Sequence, residues 1–384
     1  MSALRRVGLN LMYLVPGGVG GTEIYARRLL DELARQRPEV EFVAFSGNEA
    51  HESLSASEWP ANVRLVRVPV KAASKPLRIA AELAALPVAD ARSRVQVLHS
   101  LGTTSPPLTR SVRVVTVHDL IYEHYPESFP PLARRGLQLL VPLGARRAHR
   151  VQVSSHATKE ELVEAFGLAP EKIDVVHLGL GMRDVERPTP EAQLRERFSL
   201  GAGAPVVLSV SAALPHKNLD RQLRAFARLE DGEPLLVLVG HAGRVQERLG
   251  ELARELGVAD RVRFTGWVSD EDVEGLYRLA ALFAYPSLHE GFGMPVLEAM
   301  RRGVPVASSN ATSLPEVAGD AAELFDPLDV DAIAAALARL LGSAERRAEL
   351  VARGTERAAG FGWDRTARAA FGSYERAWRE RKRR

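Results

Sequence analysis

The sequence predicts two α/β domains, each a parallel sheet covered by helices on both faces. Three observations carry this. The chain has 384 residues, which at roughly 100 to 200 residues per domain makes two domains with ample cores. Short β-branched runs alternate with longer helical periods along most of its length, the pattern of parallel strands joined by crossover helices. The alternation breaks once, from Gly179 to Pro205, where Gly179, Gly181, Pro188, Pro190, Gly201 and Gly203 surround one short helical piece. That composition suits a connection. The expected division is an N-terminal domain over 1–180, a linker over 181–204, a C-terminal domain over 205–362 and a terminal helix over 363–384 packing back toward the N-terminal domain.

In the first domain, Val7 to Val15 follows Arg5-Arg6 and imitates a leader, but Asn10 interrupts it and Pro16 to Gly21 offers no Ala-x-Ala site. It reads as a first buried strand. A helix over Glu23 to Gln36, strands at Glu41 to Phe45, Val95 to His99 and Val112 to Val117, and a helix over Leu132 to Ala148 follow. Then come a strand at Val151 to Ser154, a helix opening at Ser155 or His156, and a strand at Ile173 to His177. The stretches Glu49 to Ala61 and Lys71 to Pro76 read as loops without a legible code. The second series runs Val206 to Val210, helix Leu219 to Leu229, Leu235 to Val239, helix Val245 to Leu256, Val262 to Phe264 and helix Asp270 to Leu279. It ends with Leu282 to Tyr285, helix Pro295 to Arg302 and Val304 to Ala307. In the terminal helix Phe371, Tyr374 and Trp378 form an apolar stripe that needs a surface to cover.

Composition excludes several classes. With 46% hydrophobic residues the chain is not disordered, and 51 Lys and Arg against 48 Asp and Glu lack the concentrated field of a nucleic-acid binder. Zero cysteines remove disulfides, thiolate nucleophiles and Cys-based metal or iron–sulfur sites, and fit a cytoplasmic setting. No apolar run reaches the ~18 to 20 residues that span a bilayer. Leu132 to Arg150 carries five Arg and no acid. It is either a core-packed helix with solvated Arg ends or a surface for anionic lipid at the inner membrane face.

The most informative stretch is Tyr285-Pro-Ser-Leu-His-Glu-Gly-Phe-Gly-Met-Pro-Val-Leu-Glu298. A strand ends, Gly291 and Gly293 permit a tight loop, and Pro295 suits a first helical position. Amides from Met294 and Val296 onward would face an anion such as a diphosphate at the positive end of the helix dipole. Glu290 and Glu298 flank that point as acceptors for paired hydroxyls. Upstream, Pro16-Gly-Gly-Val-Gly-Gly-Thr-Glu23 lacks the Gly-x-Gly-x-x-Gly spacing of a dinucleotide site. Either Gly20 and Gly21 allow close backbone approach to a ligand, or the stretch is a turn capped by Thr22.

The Glu-x-Phe-Gly-x-Pro pattern, with a second Glu eight residues after the first, resembles the signature of retaining glycosyltransferases of family four, which have the GT-B fold of two Rossmann-like domains facing across a cleft. The resemblance implies that Glu298 grips the nucleotide ribose, while Glu290 and the backbone of Phe292, Gly293 and Met294 meet the donor sugar. Ser209-Val-Ser-Ala-Ala-Leu-Pro-His-Lys-Asn218 resembles the segment whose Lys, here Lys217, neutralises the donor diphosphate. Many members carry an Arg six residues earlier, where this chain has Ser211; His216 or backbone amides would then supply the second phosphate contact. Val115-Thr-Val-His-Asp119 matches the family's strand-terminal His-Asp, so that His118 would touch the transferred sugar, with Asp119 orienting it or acting locally. Phe264-Thr-Gly-Trp-Val-Ser269 fits the segment whose main chain meets the nucleobase, with Trp267 and Val268 nearest. Ser313-Leu-Pro-Glu316 is either a local helix cap or a block in which Glu316 steadies the donor loop.

Two acidic patterns read as capping rather than metal binding: Asp329-Val-Asp331 before a helix, and Asp270-Glu-Asp272 after Ser269. No His spacing suits a metal. The expected activity is therefore a retaining, metal-independent and cofactor-free transfer of a hexose of mannose or glucose type from a GDP- or UDP-sugar to a hydroxyl acceptor, a glycan or lipid-linked saccharide. The N-terminal domain would bind the acceptor and the C-terminal domain the sugar nucleotide. The rivals are a nucleotide-sugar epimerase or phosphorylase on the same plan and a catalytically silent sugar-nucleotide-binding scaffold.

Overall fold

The computed structural model describes residues 3–18, 20–181, 185–229, 234–240 and 244–381. The chain divides into two compact units, Met1–Gly179 with Phe361–Arg384 and Leu180–Gly360.

The first unit is built on seven strands: β1 (Arg6–Leu11), β2 (Glu41–Ser46), β3 (Val63–Arg67), β4 (Val97–Ser100), β5 (Val112–Val117), β6 (Arg150–Val153) and β7 (Ile173–Val175). All pair in parallel, in the order β3-β2-β1-β4-β5-β6-β7. Runs such as Val7–Leu11 and Val97–Ser100 are buried throughout, as strands covered on both faces must be. The order reverses between β1 and β4, and at such a switch point the connecting loops diverge and leave a crevice at the carboxyl ends of the strands.

Helix Gly21–Gln36 buries Tyr25, Leu29, Leu30 and Leu33 along one stripe. The terminal helix Trp363–Arg381 belongs to this same unit: Phe371 and Tyr374 are buried, the Arg37 guanidinium stacks 4.5 Å from the Phe371 ring, and Thr366 Oγ1 donates to the His177 carbonyl at 2.8 Å. The first strand stops at Leu11 rather than Val15, because Met12 and Leu14 enter the core from a turn. Most of the stretch read as a loop from Glu49 to Ala61 is instead helical, within Asn48–Ser55. It is tied by the Glu49 carboxylate accepting from the Ala72 amide at 2.9 Å, a tertiary bond that periodicity does not reveal.

The second unit has six strands: β8 (Val206–Val210), β9 (Leu235–Val239), β10 (Val262–Gly266), β11 (Leu282–Tyr285), β12 (Val306–Ser309) and β13 (Glu323–Phe325). They are all parallel, in the order β10-β9-β8-β11-β12-β13. Here the switch point lies between β8 and β11. The stretch expected as a linker is packed into this unit from Thr189 onward. Leu194 and Leu200 are wholly buried, and Asp272 accepts from Thr189 Oγ1 and from Arg197, each at 2.7 Å. Residues 182–184 of that stretch lie outside the described residues. Asp329 caps helix Val330–Gly342 by accepting from the amides of Asp331 and Ala332, and Asp331 pairs with Arg228, so both acids of the Asp-x-Asp pattern serve the fold.

Candidate active site

The switch point of the second sheet brings the loop after β8 beside the loop after β11. In the first loop, Pro215–Lys217 form one 3-10 turn and Asn218 adopts a left-handed conformation with φ of 58°. Its buried amide donates to the carbonyls of Pro286 at 3.0 Å and Pro327 at 2.7 Å. The His216 carbonyl accepts from Ser287 Oγ at 3.1 Å and from the Leu288 amide at 2.7 Å. Four bonds thus staple the first loop to its neighbours and fix where its cation points.

That cation is Lys217. Its Nζ lies 2.6 Å from Glu290 Oε1 and 3.2 Å from the Tyr285 hydroxyl, which itself donates to Glu290 Oε1 at 2.7 Å. Burial alone would raise the Glu290 pKa, but the Lys217 ammonium, with hydrogen bonds from Lys217 and Ser287, holds the carboxyl below its ordinary 4.5. Burial, then the Glu290 charge, pushes the Tyr285 phenol well above 10. His216 is buried beside Lys217; burial first, then the Lys217 charge, pushes its imidazole down to about 4, leaving it neutral.

The tight loop ends at Gly293, with φ of 106°, and helix Met294–Arg301 follows. A Cβ at Gly293 would lie 2.6 Å from Leu314 Cδ2, so both conformation and space require glycine there. The loop is pinned from behind: the Glu290 amide donates to Thr312 Oγ1 at 3.0 Å, and Ser313 Oγ lies 2.9 Å from the Glu290 carbonyl and 2.8 Å from that of Phe292. Ser313 therefore braces the loop and does not cap helix Leu314–Ala318, which has no side-chain cap. At the helix start the Val296 amide is already bonded to the Gly293 carbonyl at 3.1 Å, and Pro295 has none. Of the amides expected to meet an anion, that of Met294 remains.

Glu298 is buried one turn into this helix. Gly181 lies against it so closely that a side chain there would run into Glu298 Oε1. Burial, reinforced by the Glu298 charge, raises the Tyr277 phenol well above 10. Trp267 and Val268 follow β10, two strand spacings from β8, or about 10 Å across the sheet. Trp267 is 68% exposed while Val268 is buried.

The first unit supplies its own cluster at its switch point. His118 follows β5; its Nε2 donates to the Leu101 carbonyl at 2.9 Å and its ring meets Tyr25 edge-on, centroids 4.9 Å apart. Burial lowers its pKa. The imidazole is thus neutral, with Nδ1 as its acceptor nitrogen. Asp119 acts locally, its carboxylate accepting from the Ile121 amide at 3.1 Å. Gly20 precedes helix Gly21–Gln36 with φ of 55° and no side-chain cap. Thr22 offers its carbonyl to the Tyr13 hydroxyl at 2.8 Å, and Glu23 accepts from the Gly17 amide, also at 2.8 Å. Val19 of this loop lies outside the described residues.

Sequence reasoning missed the roles of Tyr285, Asn218 and Thr312, and offered Ser313 as a helix cap. A residue with a polar tip at the carboxyl end of a strand of a parallel sheet is the one local signal that marks Tyr285; the others act through partners at least 20 residues away.

An ammonium, a helix start and two buried acids at the switch point of a parallel sheet define a site for an anionic, hydroxyl-rich ligand. Comparison with known proteins gives the class. Residues 191–357 match the family described as Glycosyl transferases group 1, and residues 19–181 match Glycosyltransferase Family 4. The chain is 32% identical over 266 residues to O-antigen chain mannosyltransferase B of Escherichia coli, covering 68% of this chain and 70% of that one. The fold is that of sucrose-phosphate synthase from Thermosynechococcus elongatus, at 20% identity and a TM-score of 0.75, covering 98% of this chain and all of that one. It is also that of Anabaena Alr3699/HepE, solved in complex with UDP and glucose, at 19% identity and a TM-score of 0.73, covering 97% and 99%. The protein is a transferase of GT-B fold. It belongs to the group 1, family-four glycosyltransferases.

Proposed function

We propose that the protein moves a hexose of mannose or glucose type, with retention and without a bound metal or other cofactor, from a GDP- or UDP-sugar to a hydroxyl of a glycan or lipid-linked acceptor. The Lys217–Glu290 pair beside the start of helix Met294–Arg301 carries this reading. It presents one cation and the Met294 amide at a helix N-terminus to a diphosphate, and one carboxylate to the adjoining sugar. The ammonium supplies the charge that a divalent cation would otherwise bring to the leaving diphosphate. Glu298 accepts from the ribose hydroxyls, Glu290 and the Phe292–Met294 backbone orient the sugar, and Trp267 and Val268 lie toward the base. In the first unit, His118 Nδ1 accepts from a sugar hydroxyl and the Gly20–Gly21 backbone gives close approach. Acceptor attack on the face that the diphosphate leaves lets the leaving oxygen take the proton, so catalysis rests on positioning and charge stabilisation.

The test is a thermal-shift screen of GDP- and UDP-hexoses with EDTA present. A donor at a hundred times its Kd adds ~2.7 kcal/mol and raises the melting temperature visibly. Glu298→Ala should weaken that donor about ten- to a hundredfold, the worth of one charge-assisted bond. An unchanged Kd, or binding that EDTA abolishes, contradicts the assignment.

A lipid-linked acceptor is favoured by helix Pro131–Arg147, where Leu132 is 81% and Leu139 68% exposed on the face that carries Arg135 and Arg146. Apolar residues between arginines on a free helix face suit an anionic lipid surface. Sedimentation with anionic but not neutral vesicles at low salt is expected; equal behaviour with both removes the membrane reading.

A further inference from the structure

Helix Lys75–Ser93 carries a carboxylate that the proposed chemistry leaves unused. Glu82 is 4% exposed and lies beside the switch point of the first sheet. Asn10 Nδ2, near the end of β1, donates to its Oε1 at 2.7 Å, and Thr104 Oγ1, in the turn after β4, donates to its Oε2 at 2.8 Å. Asn10 Nδ2 also reaches Ser100 Oγ, the last residue of β4, at 3.1 Å. One buried carboxylate therefore ties the ends of two strands to the turn between β4 and β5. Burial raises the pKa of this carboxyl, the hydrogen bonds from Thr104 and Asn10 and the Arg78 charge oppose that rise, and both of its oxygens are engaged.

That turn is where the two proposed ligand-facing elements of this unit converge. The Leu101 carbonyl holds His118 Nε2 at 2.9 Å. Gly102 packs on the Tyr13 ring with no room for a side chain, and the Tyr13 hydroxyl donates to the Thr22 carbonyl at 2.8 Å, in the first turn of the helix that Gly20 opens. Thr103 sits at φ of 70°, a conformation a non-glycine residue keeps only when its surroundings impose it. Its amide bonds to the Thr116 carbonyl at 3.1 Å, and Thr104 is the next residue.

We infer that Glu82 is a positioning residue: through Thr104 it holds the Leu101–Thr104 turn, and through that turn it sets the imidazole of His118 and the helix start at Gly20–Gly21. The inference rests on the proposed role of His118 in holding the sugar. A purely structural Glu82 would stabilise the unit without affecting His118.

The test uses the full chain labelled with 15N-histidine, the His118 imidazole signals being assigned by their loss in His118→Asn. Glu82→Gln and Thr104→Val should each move the His118 signals and leave those of His216 in place. Ser111→Ala, which removes the bond from Ser111 Oγ to Asp90 at the far end of the same loop, should leave His118 unmoved. Thr104→Val removes one hydroxyl from a half-buried site and keeps the test usable if Glu82→Gln does not fold. With a GDP- or UDP-hexose that binds, both variants should lower kcat about ten- to a hundredfold, the scale of a small misplacement, with less change in donor KM. Unmoved His118 signals in a folded Thr104→Val protein overturn the inference. Full turnover of His118→Asn removes instead the role assigned to His118, an outcome that the spectra do not depend on.

Discussion

The Lys217 ammonium and the Glu290 carboxylate are 2.6 Å apart, and both side chains are largely buried. Each is the other's counter-ion while no ligand is bound. Removing one member of such a pair strands the other charge in a poorly solvated place, which typically costs about 3 to 5 kcal/mol, whereas replacing both by neutral groups costs far less. Lys217→Met is therefore expected to lower the unfolding free energy by about 3 kcal/mol, and Lys217→Met with Glu290→Gln to restore most of it. Urea melts of the two single variants and the double variant measure the coupling; additive losses would show that the charges are compensated elsewhere.

The same pair makes a prediction about ligands. On the proposed function a diphosphate and Glu290 share the Lys217 ammonium, so the carboxylate competes with the phosphate for its charge. Neutralising the competitor releases the cation. Glu290→Gln should bind free GDP or UDP, which carry no sugar, at least as tightly as the parent, while Lys217→Met should bind them about tenfold or more weakly, the loss of one charge-assisted bond. On the proposed roles turnover falls in both, because Glu290→Gln alters the sugar contact and Lys217→Met the diphosphate contact. Calorimetric titration with the nucleoside diphosphates separates the two roles; a Glu290→Gln protein that binds the diphosphate much more weakly would contradict the competition.

Gly293 carries two constraints at once. Its φ of 106° lies where an L side chain is strained, and a Cβ would meet Leu314 Cδ2 at 2.6 Å. Strain and overpacking each cost about 1 to 3 kcal/mol. Gly293→Ala should thus cost several kcal/mol in the parent but only the strain share in a Leu314→Ala background, which itself loses about 2 to 5 kcal/mol to the cavity. Thermal melts of both single variants and the double variant read the difference; no cost of Gly293→Ala in the Leu314→Ala background would show that the backbone there tolerates any residue.

The architecture was legible because the buried strands are short apolar runs bounded by a helix period, as in Val206–Val210 and Leu282–Tyr285. The short strands β3 and β13 were not: β3 alternates at the sheet edge and β13 has three residues, Glu323–Phe325. The chemistry of the site was legible where one segment carries it, from Glu290 to Glu298. Its bracing was not, because Ser313 looks like a helix cap in one dimension and becomes a brace only when β12 brings it beneath the Glu290 loop. The charge state of His216 was not legible either, since burial and the adjacent Lys217 push its imidazole down to about 4.

His99, buried near His118, gives the protein a testable acid sensitivity. Its Nδ1 is 2.7 Å from the Tyr374 hydroxyl and its Nε2 2.8 Å from Thr116 Oγ1, and burial pushes its pKa down from 6.5 to about 3. Above pH 6.5 the imidazole is neutral whether the chain is folded or not, and contributes nothing to pH dependence. Between about 6.5 and 3 the unfolded chain takes up a proton that the native one refuses, so this residue's contribution to stability is lost as the pH falls, by up to about 1.4 kcal/mol per pH unit. Glu161 acts in the opposite direction. Burial, with the Asp119 charge, raises it from 4.5 to about 7, so the native state holds its proton more tightly over that range. The total slope mixes such terms, but a single substitution isolates one. His99→Gln should be less stable than the parent at pH 7, through lost packing, and its unfolding free energy should then fall by about one proton's worth less per pH unit between pH 6 and 4. Urea melts at pH 7, 6, 5 and 4 give both slopes, and parallel lines would mean that His99 titrates normally in the folded protein.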